Sequence, residues 1–286
     1  MNEGIWTHVG LGSTDIKRSK RFWEQIFGFK EINNITIEGE PIGKLMSLPG
    51  SVKFNDSMIE QDTLRLDILE PVRPAPAKMP TRPFTELGLN YISMRVPEAE
   101  LASVKHQIGL LGGKVLPGGG YARDPDGQLI QLTTGGVIPS FSHVSLNVAD
   151  IPKTRTFLQE VFGFTPLSEG HLDGAPAALA LDLHEVKARS AMQAKGKAKV
   201  ELLHFETPHT LPARFRGFNE PGLIHMALRE VPFDMLGELR GSVAAHGGKV
   251  LWDTIVGGDD PRWKSLEGTS YITDPDGQRI ALFPKR

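Results

Sequence analysis

Cysteine is absent from the 286 residues, which excludes disulfides, thiolate metal ligands and a thiol nucleophile. Any metal must therefore be held by histidine, carboxylate or another oxygen donor. Charge of one sign is not in excess either: the formal net charge is -2, so there is no electrostatic reason to expect nucleic acid or an anionic membrane as partner. No apolar run is long enough to span a bilayer, and MNEGIWTHV lacks the basic and apolar regions of a signal peptide. The expectation is a soluble cytoplasmic protein. The length leaves room for two domains of ordinary size, each able to bury a core.

What the chain does have is a repeat. HVGLGSTDIKRSKRFWEQIFGF, from His8, returns as HVSLNVADIPKTRTFLQEVFGF, from His143. GLNYISMRV from Gly88 has its counterpart in GLIHMALREV from Gly222, and each half closes on DPDGQ, in YARDPDGQLIQL from Tyr121 and YITDPDGQRIAL from Tyr271. Four related units in two halves follow. Units that repeat a backbone also repeat positions in space, so the residue types that differ between copies show where chemistry was kept or lost.

Each unit begins with a strand and an amphipathic helix. In unit three His143, Ser145 and Asn147 alternate with Val144, Leu146 and Val148, giving one polar and one apolar face. Asp150 is placed to cap the next helix, Pro152 fits its first turn, and Phe157, Leu158 and Val161 form the apolar stripe before Gly163 ends it. Unit one reads the same way through Asp15, Phe22, Trp23, Ile26 and Gly28. Further strands follow each helix, among them TLRLDIL from Thr63 and KVELLHF from Lys199. The proline-rich stretch from Pro71 to Pro83 reads as an extended connector, Gly135 to Ser140 as the linker between halves, and Glu206 to Gly222 as the join between units three and four. Unit four is lengthened by WDTIVGGDDPRWKSLEG, and a loop inserted in one copy of a repeat can carry specificity.

With these segments the chain resembles the vicinal oxygen chelate superfamily, which includes glyoxalase I, methylmalonyl-CoA epimerase, fosfomycin-modifying enzymes and type I extradiol ring-cleavage dioxygenases. The HV(G/S)L strands, the FGF ending each odd-unit helix, the GGK turns and the two DPDG turns carry the resemblance over nearly the whole chain. It implies an α+β fold of four βαβββ units paired into two open-barrel domains. The pairing expected here is within each half, giving an N-terminal domain at 1–136 and a C-terminal domain at 140–286. In such a fold ligands to one metal come from the first and last strands of the two units in a pair.

Carried onto this chain, the resemblance implies four inward positions per half: His143, Glu201, His225 and Ala281 in the C-terminal half, and His8, Asp67, Tyr91 and Gln131 in the N-terminal half. Strand alternation places all eight on a concave face. Two neutral histidines and a carboxylate can hold a six-coordinate divalent ion with open positions, so His143, His225 and Glu201 are the expected metal ligands. Fe(II) is favoured, with Mn(II) or Zn(II) as alternatives. Ala281 departs from ring-cleaving relatives, which place their carboxylate there. Because Tyr91 replaces a ligand, His8, Asp67 and Gln131 read as a vestigial pocket that supports the fold, or as a second metal site.

His209 lies near the place where extradiol relatives carry a proton-handling histidine, and Tyr271 matches their active-site tyrosine; the alternatives are a surface loop residue and a core-filling aromatic. The resemblance thus implies ring cleavage of a catecholic or related hydroxylated aromatic, with O₂ as co-substrate, His209 moving the proton and Tyr271 hydrogen-bonding the substrate. Trp252 and Trp263 could cover an aromatic ring. An oxygen-independent lyase, isomerase or hydrolase stays open, as does a non-catalytic protein that sequesters an aromatic ligand. Four units in one chain remove the need to dimerise without forbidding a homo-oligomer.

Overall fold

The computed structural model describes residues 6–77, 83–214, 216–232, 235–252 and 269–285. Unit one contains β1 (Trp6–Gly12), α1 (Ile16–Phe27), β2 (Lys30–Gly39), a short α2 (Glu40–Leu45), β3 (Val52–Gln61) and β4 (Leu64–Arg73). Unit two follows with β5 (Gly88–Val96), α3 (Leu101–Leu110), β6 (Lys114–Val115), β7 (Tyr121–Arg123) and β8 (Leu129–Thr134). Unit three repeats unit one as β9 (Ser140–Asn147), α4 (Ile151–Phe162), β10 (Thr165–Asp173), α5 (Gly174–Ala180), β11 (Lys187–Lys195) and β12 (Ala198–Thr207). Unit four is β13 (Gly222–Pro232), α6 (Leu236–Ala245), β14 (Lys249–Trp252), β15 (Ser270–Thr273) and β16 (Arg279–Lys285).

The odd-unit helices form for the reasons their sequences give. The Asp15 side chain accepts from the Arg18 backbone N–H at the start of α1, and Asp150 accepts from Lys153 at the start of α4, satisfying donors that the first turn leaves open. Gly28 and Gly163 end them in the left-handed conformation. Phe22, Trp23, Ile26 and Phe27 are buried on one face of α1, and Phe157, Leu158, Val161 and Phe162 on one face of α4. Among the described residues no helix is long and apolar enough to cross a membrane.

Sheet pairing departs from expectation. One eight-stranded sheet runs β14-β15-β16-β13-β1-β4-β3-β2 and the other β10-β11-β12-β9-β5-β8-β7-β6. The first strands of units one and four meet antiparallel, as do those of units two and three, while in every unit the first strand is parallel to the last. The halves 1–136 and 140–286 therefore do not each close a sheet of their own. The connections give the reason. Units two and three are joined only by residues 135–139, which keeps β8 and β9 in the same sheet, whereas the longer connectors 74–87 and 208–221 join units that lie in different sheets.

Helices nevertheless associate within halves, α1 with α3 and α4 with α6. A single large apolar core backs both sheets and draws on all four units, from Val9 and Phe22 to Val144, Phe157 and Ile280. Two smaller clusters lie apart from it. Ile42, Leu45 and Met46, at and just after α2, pack with Phe218, Tyr271 and Ala281, and Ala178 of α5 packs with Leu181, Phe84, Tyr91 and Tyr121. Each sheet thus has a second packed face, with the short odd-unit helix against it.

Candidate metal centre

In the sheet shared by units one and four, β1 supplies His8, its parallel neighbour β4 supplies Asp67, and its antiparallel neighbour β13 supplies His225. The register places Gly10 opposite both Asp67 and His225. A Cβ at Gly10 would collide with the imidazole of His225, so the missing side chain is what lets that ring lie across β1. His8 Nε2 and His225 Nε2 are 3.0 Å apart and His8 Nε2 is 3.7 Å from Asp67 Oδ2. One donor atom from each of the three residues lies within 4.8 Å of the others. All three are buried.

Burial sets the protonation. It drives His8 down to about 3 and His225 well below the usual imidazole range, with the neighbouring ring and Arg279 adding to the effect on His225. A single N–H can bridge the two Nε2 atoms of neutral rings. Burial also raises Asp67 well above the usual carboxylate range, helped by Asp56 of β3, with which it shares a hydrogen bond. Around the cluster stand Phe283, 5.3 Å from His8 between ring centroids, and Phe218 and Tyr271, 5.4 and 5.5 Å from His225. Ala281 takes the fourth inward position and is fully buried.

The donor set fits a divalent metal. Two imidazoles held neutral and one carboxylate are the groups such an ion requires. His8 Nδ1, His225 Nδ1 and Asp67 Oδ1 are buried without hydrogen-bond partners, and polar atoms left so cost about 1–3 kcal/mol each. A bound cation offers a counterpart to the lone pairs among them.

The second sheet brings together His143 of β9, Glu201 of β12, Tyr91 of β5 and Gln131 of β8. His143 Nε2 is 3.3 Å from Glu201 Oε2, and the Tyr91 hydroxyl donates to that same oxygen. Gln131 Nε2 donates to the Tyr121 hydroxyl at 2.9 Å, and Ser93 donates to Gln131 Oε1 at 2.7 Å. Burial and Glu201 push Tyr121 up to about 12 and raise Tyr91 as well. Glu201 thus already has a hydroxyl donor here.

Of the expected ligands, then, His143 and Glu201 meet each other, but His225 lies in the other sheet with His8 and Asp67. Grouping positions by half is corrected to grouping them by sheet. His8 and Asp67, expected in a vestigial pocket or a second metal site, are members of the tighter cluster, while Gln131 belongs with His143 and Glu201. Tyr271 borders the His225 ring. His209 is exposed in the turn after β12, and none of the hydrogen bonds, ion pairs or ring contacts among the described residues links it to His225. The Trp252 side chain and Trp263 lie outside the described residues.

For Gly10 the sequence carries a signal in its copy, Ser145: Gly10 faces His225 in one sheet, and Ser145 lies near Tyr91, the counterpart of His225, in the other. The small residue goes with the ring that lies across the strand; the serine goes with the tyrosine.

Comparison with known proteins agrees with the architecture. The family model described as Glyoxalase/Bleomycin resistance protein/Dioxygenase superfamily matches residues 6–132 and 140–282. Glyoxalase I from Zea mays is similar over 98% of this chain and 92% of its own, with TM-score 0.67 and 16% identity. A putative dioxygenase from Bacillus subtilis subsp. subtilis str. 168 is similar over 98% and 85%, with TM-score 0.53 and 14% identity. At these identities the likeness concerns the fold alone. None of the curated proteins matches the chain significantly.

Proposed function

The chain belongs to the Glyoxalase/Bleomycin resistance protein/Dioxygenase superfamily, and from that premise we propose that it is a metal-dependent ring-cleaving oxygenase for a catecholic or related hydroxylated aromatic, with its centre at His8, Asp67 and His225. The observation that carries this reading is the convergence of two neutral histidines and one carboxylate beside a position, Ala281, that contributes no ligand. Two imidazoles and a carboxylate are the ligand set of nonheme Fe(II) oxygenases, which keep open positions for substrate and O₂. A divalent ion bound there would lower the pKa of substrate hydroxyls and polarise their oxygens.

The residues of the chain supply the rest. Burial keeps both imidazoles uncharged, so neither must shed a positive charge before donating a lone pair, whereas Asp67, raised by burial and Asp56, gives up its proton when a cation binds. Phe218, Tyr271 and Phe283 give the centre aromatic walls suited to a flat ring. Burial and Asp67 raise the pKa of the Tyr271 hydroxyl, which keeps it protonated and able to donate to a substrate oxygen. His209 has no role in this reading, since it sits exposed beyond β12.

The test is anaerobic reconstitution with Fe(II) followed by admission of oxygen in the presence of a catechol panel. Oxygen uptake with a yellow ring-cleavage product is expected, and its absence with every member of the panel removes the reading. Asp56 favours a second one. Its carboxyl shares a hydrogen bond with Asp67 and is raised by burial, so it can hold a proton beside the centre, as an oxygen-independent isomerase or lyase would require. Turnover under strict anaerobiosis with Zn(II), Ni(II), Co(II) or Mn(II) separates the two.

A further inference from the structure

The inner faces of the two sheets are built from the same repeat, so a charged residue present in only one copy stands out. Position 279 in DPDGQRIAL is arginine, and its counterpart in DPDGQLIQL is Leu129. Leu129 sits in an apolar cluster with Phe84, Tyr91 and Tyr121. Arg279 is only 3% exposed. It lies on the same strand face as Ala281, with Ile280 on the other. Its Cζ is 4.8 Å from the centroid of the Phe218 ring, and that ring is 5.4 Å from His225. One aromatic ring therefore separates Arg279 from the candidate metal centre.

Beside Arg279 is a cavity of about 190 Å³ at the junction of the two sheets, lined by Arg214, Arg216 and Arg279 together with Gly88, Ile224 and Gly277. Arg216 donates to the Pro221 carbonyl, while its Nε is buried without a hydrogen-bond partner. Asp276 is the acid in the lining, and its Oδ2 already accepts from the Ala149 backbone N–H. Glu86 and Glu220 attract Arg216, and Tyr271 and Glu220 attract Arg279, but none of these three lines the cavity. Three guanidinium groups thus border one small cavity, and guanidinium is the side chain best matched to carboxylate and phosphate oxygens.

We propose that this cavity receives an anionic group, carboxylate or phosphate, of the substrate, so that the molecule acted on at His8, Asp67 and His225 is an acid anion. This rests on the reading of that cluster as the reaction centre. The acid group sits among Arg214, Arg216 and Arg279, and the carbon skeleton reaches past Phe218 toward His225.

Isothermal titration of the metal-free full-length chain with inorganic phosphate, catechol and 3,4-dihydroxybenzoate tests the proposal. Phosphate is expected to bind, and the acid to bind at least about tenfold tighter than catechol, about 1.4 kcal/mol. Arg279→Leu installs the residue that the other sheet carries at this position, and Arg214→Gln alters an exposed side chain. Each is expected to bring the acid's affinity close to that of catechol while stoichiometric loading with divalent metal, read by elemental analysis, persists. Absence of phosphate binding, equal affinity for acid and catechol, or an acid preference that survives both substitutions overturns the proposal. If Arg279→Leu does not fold, Arg214→Gln decides. Wild-type protein that prefers the acid but loads no metal supports the anion site and removes the metal reading; metal loading without acid preference does the reverse.

Discussion

At the scale of single residues, the centre depends as much on a missing side chain as on the donors. Gly10 faces Asp67 on one side and His225 on the other, and any Cβ there would strike the imidazole. Gly10→Ser, which copies the residue of unit three, should weaken divalent-metal affinity about tenfold or more, measured by competition with a chelating dye. Ser145→Gly, made in the other sheet, should leave that affinity unchanged. Ligand substitutions locate the site. His8→Ala and His225→Ala should each abolish stoichiometric loading, whereas His143→Ala should retain it; retention in the first two with loss in the third would move the centre to the other sheet.

At the scale of elements, the DPDG turns were legible as turns, but their burial was not. Asp124 Oδ1 accepts from the backbone N–H groups of Asp126 and Gln128, and Asp274 Oδ1 from those of Asp276 and Gln278. Burial outweighs these bonds and raises both carboxyls to about 7. The folded chain therefore holds protons that the unfolded chain releases near 4. The stability this contributes is full below that pH and is lost as pH rises through about 7, on the order of a few kcal/mol per group. Asp274→Asn keeps an acceptor and cannot ionise, so its melting temperature should gain on the wild type as pH is raised from 4 to 8. Parallel melting curves would count against the assignment. Helices α1 and α4 were readable because their signals are local: a capping aspartate, an apolar stripe and a closing glycine. The inward face of each strand was readable for the same reason, since alternation fixes which residues share a side. Which strands lie side by side is a matter of connections through space. The similar first strands of units one and three do not distinguish a partner in the same half from one in the other, so the eight inward positions are legible in the sequence while their grouping is not.

At the scale of the molecule, the two sheets are clasped by the glutamines that follow the turns. Gln128 Oε1 accepts from the Leu223 backbone N–H, and Gln278 Oε1 accepts from that of Leu89, each at 2.8 Å. Each Nε2 donates to the sheet of its own glutamine, Gln128 to Asn90 O and Gln278 to Ile224 O. Gln128→Ala or Gln278→Ala leaves a buried N–H without its acceptor and should cost about 1–3 kcal/mol, measured by denaturant unfolding. The pairing of units one with four and two with three also predicts what division of the chain would do. Segments 1–136 and 140–286 made together should recover a one-to-one complex that loads metal, whereas 1–136 alone, which lacks His225, should not; metal loading by 1–136 alone would overturn the pairing. Because β1 and β13 stand side by side while lying near opposite ends of the sequence, order of synthesis becomes part of the chemistry. His8 and Asp67 leave the ribosome long before His225 can join them, and a nascent or prematurely ended chain holds only two of the three donors. The fourth unit completes both the sheet and the cluster, so no chain could bring all three donors to a metal before that unit had been made.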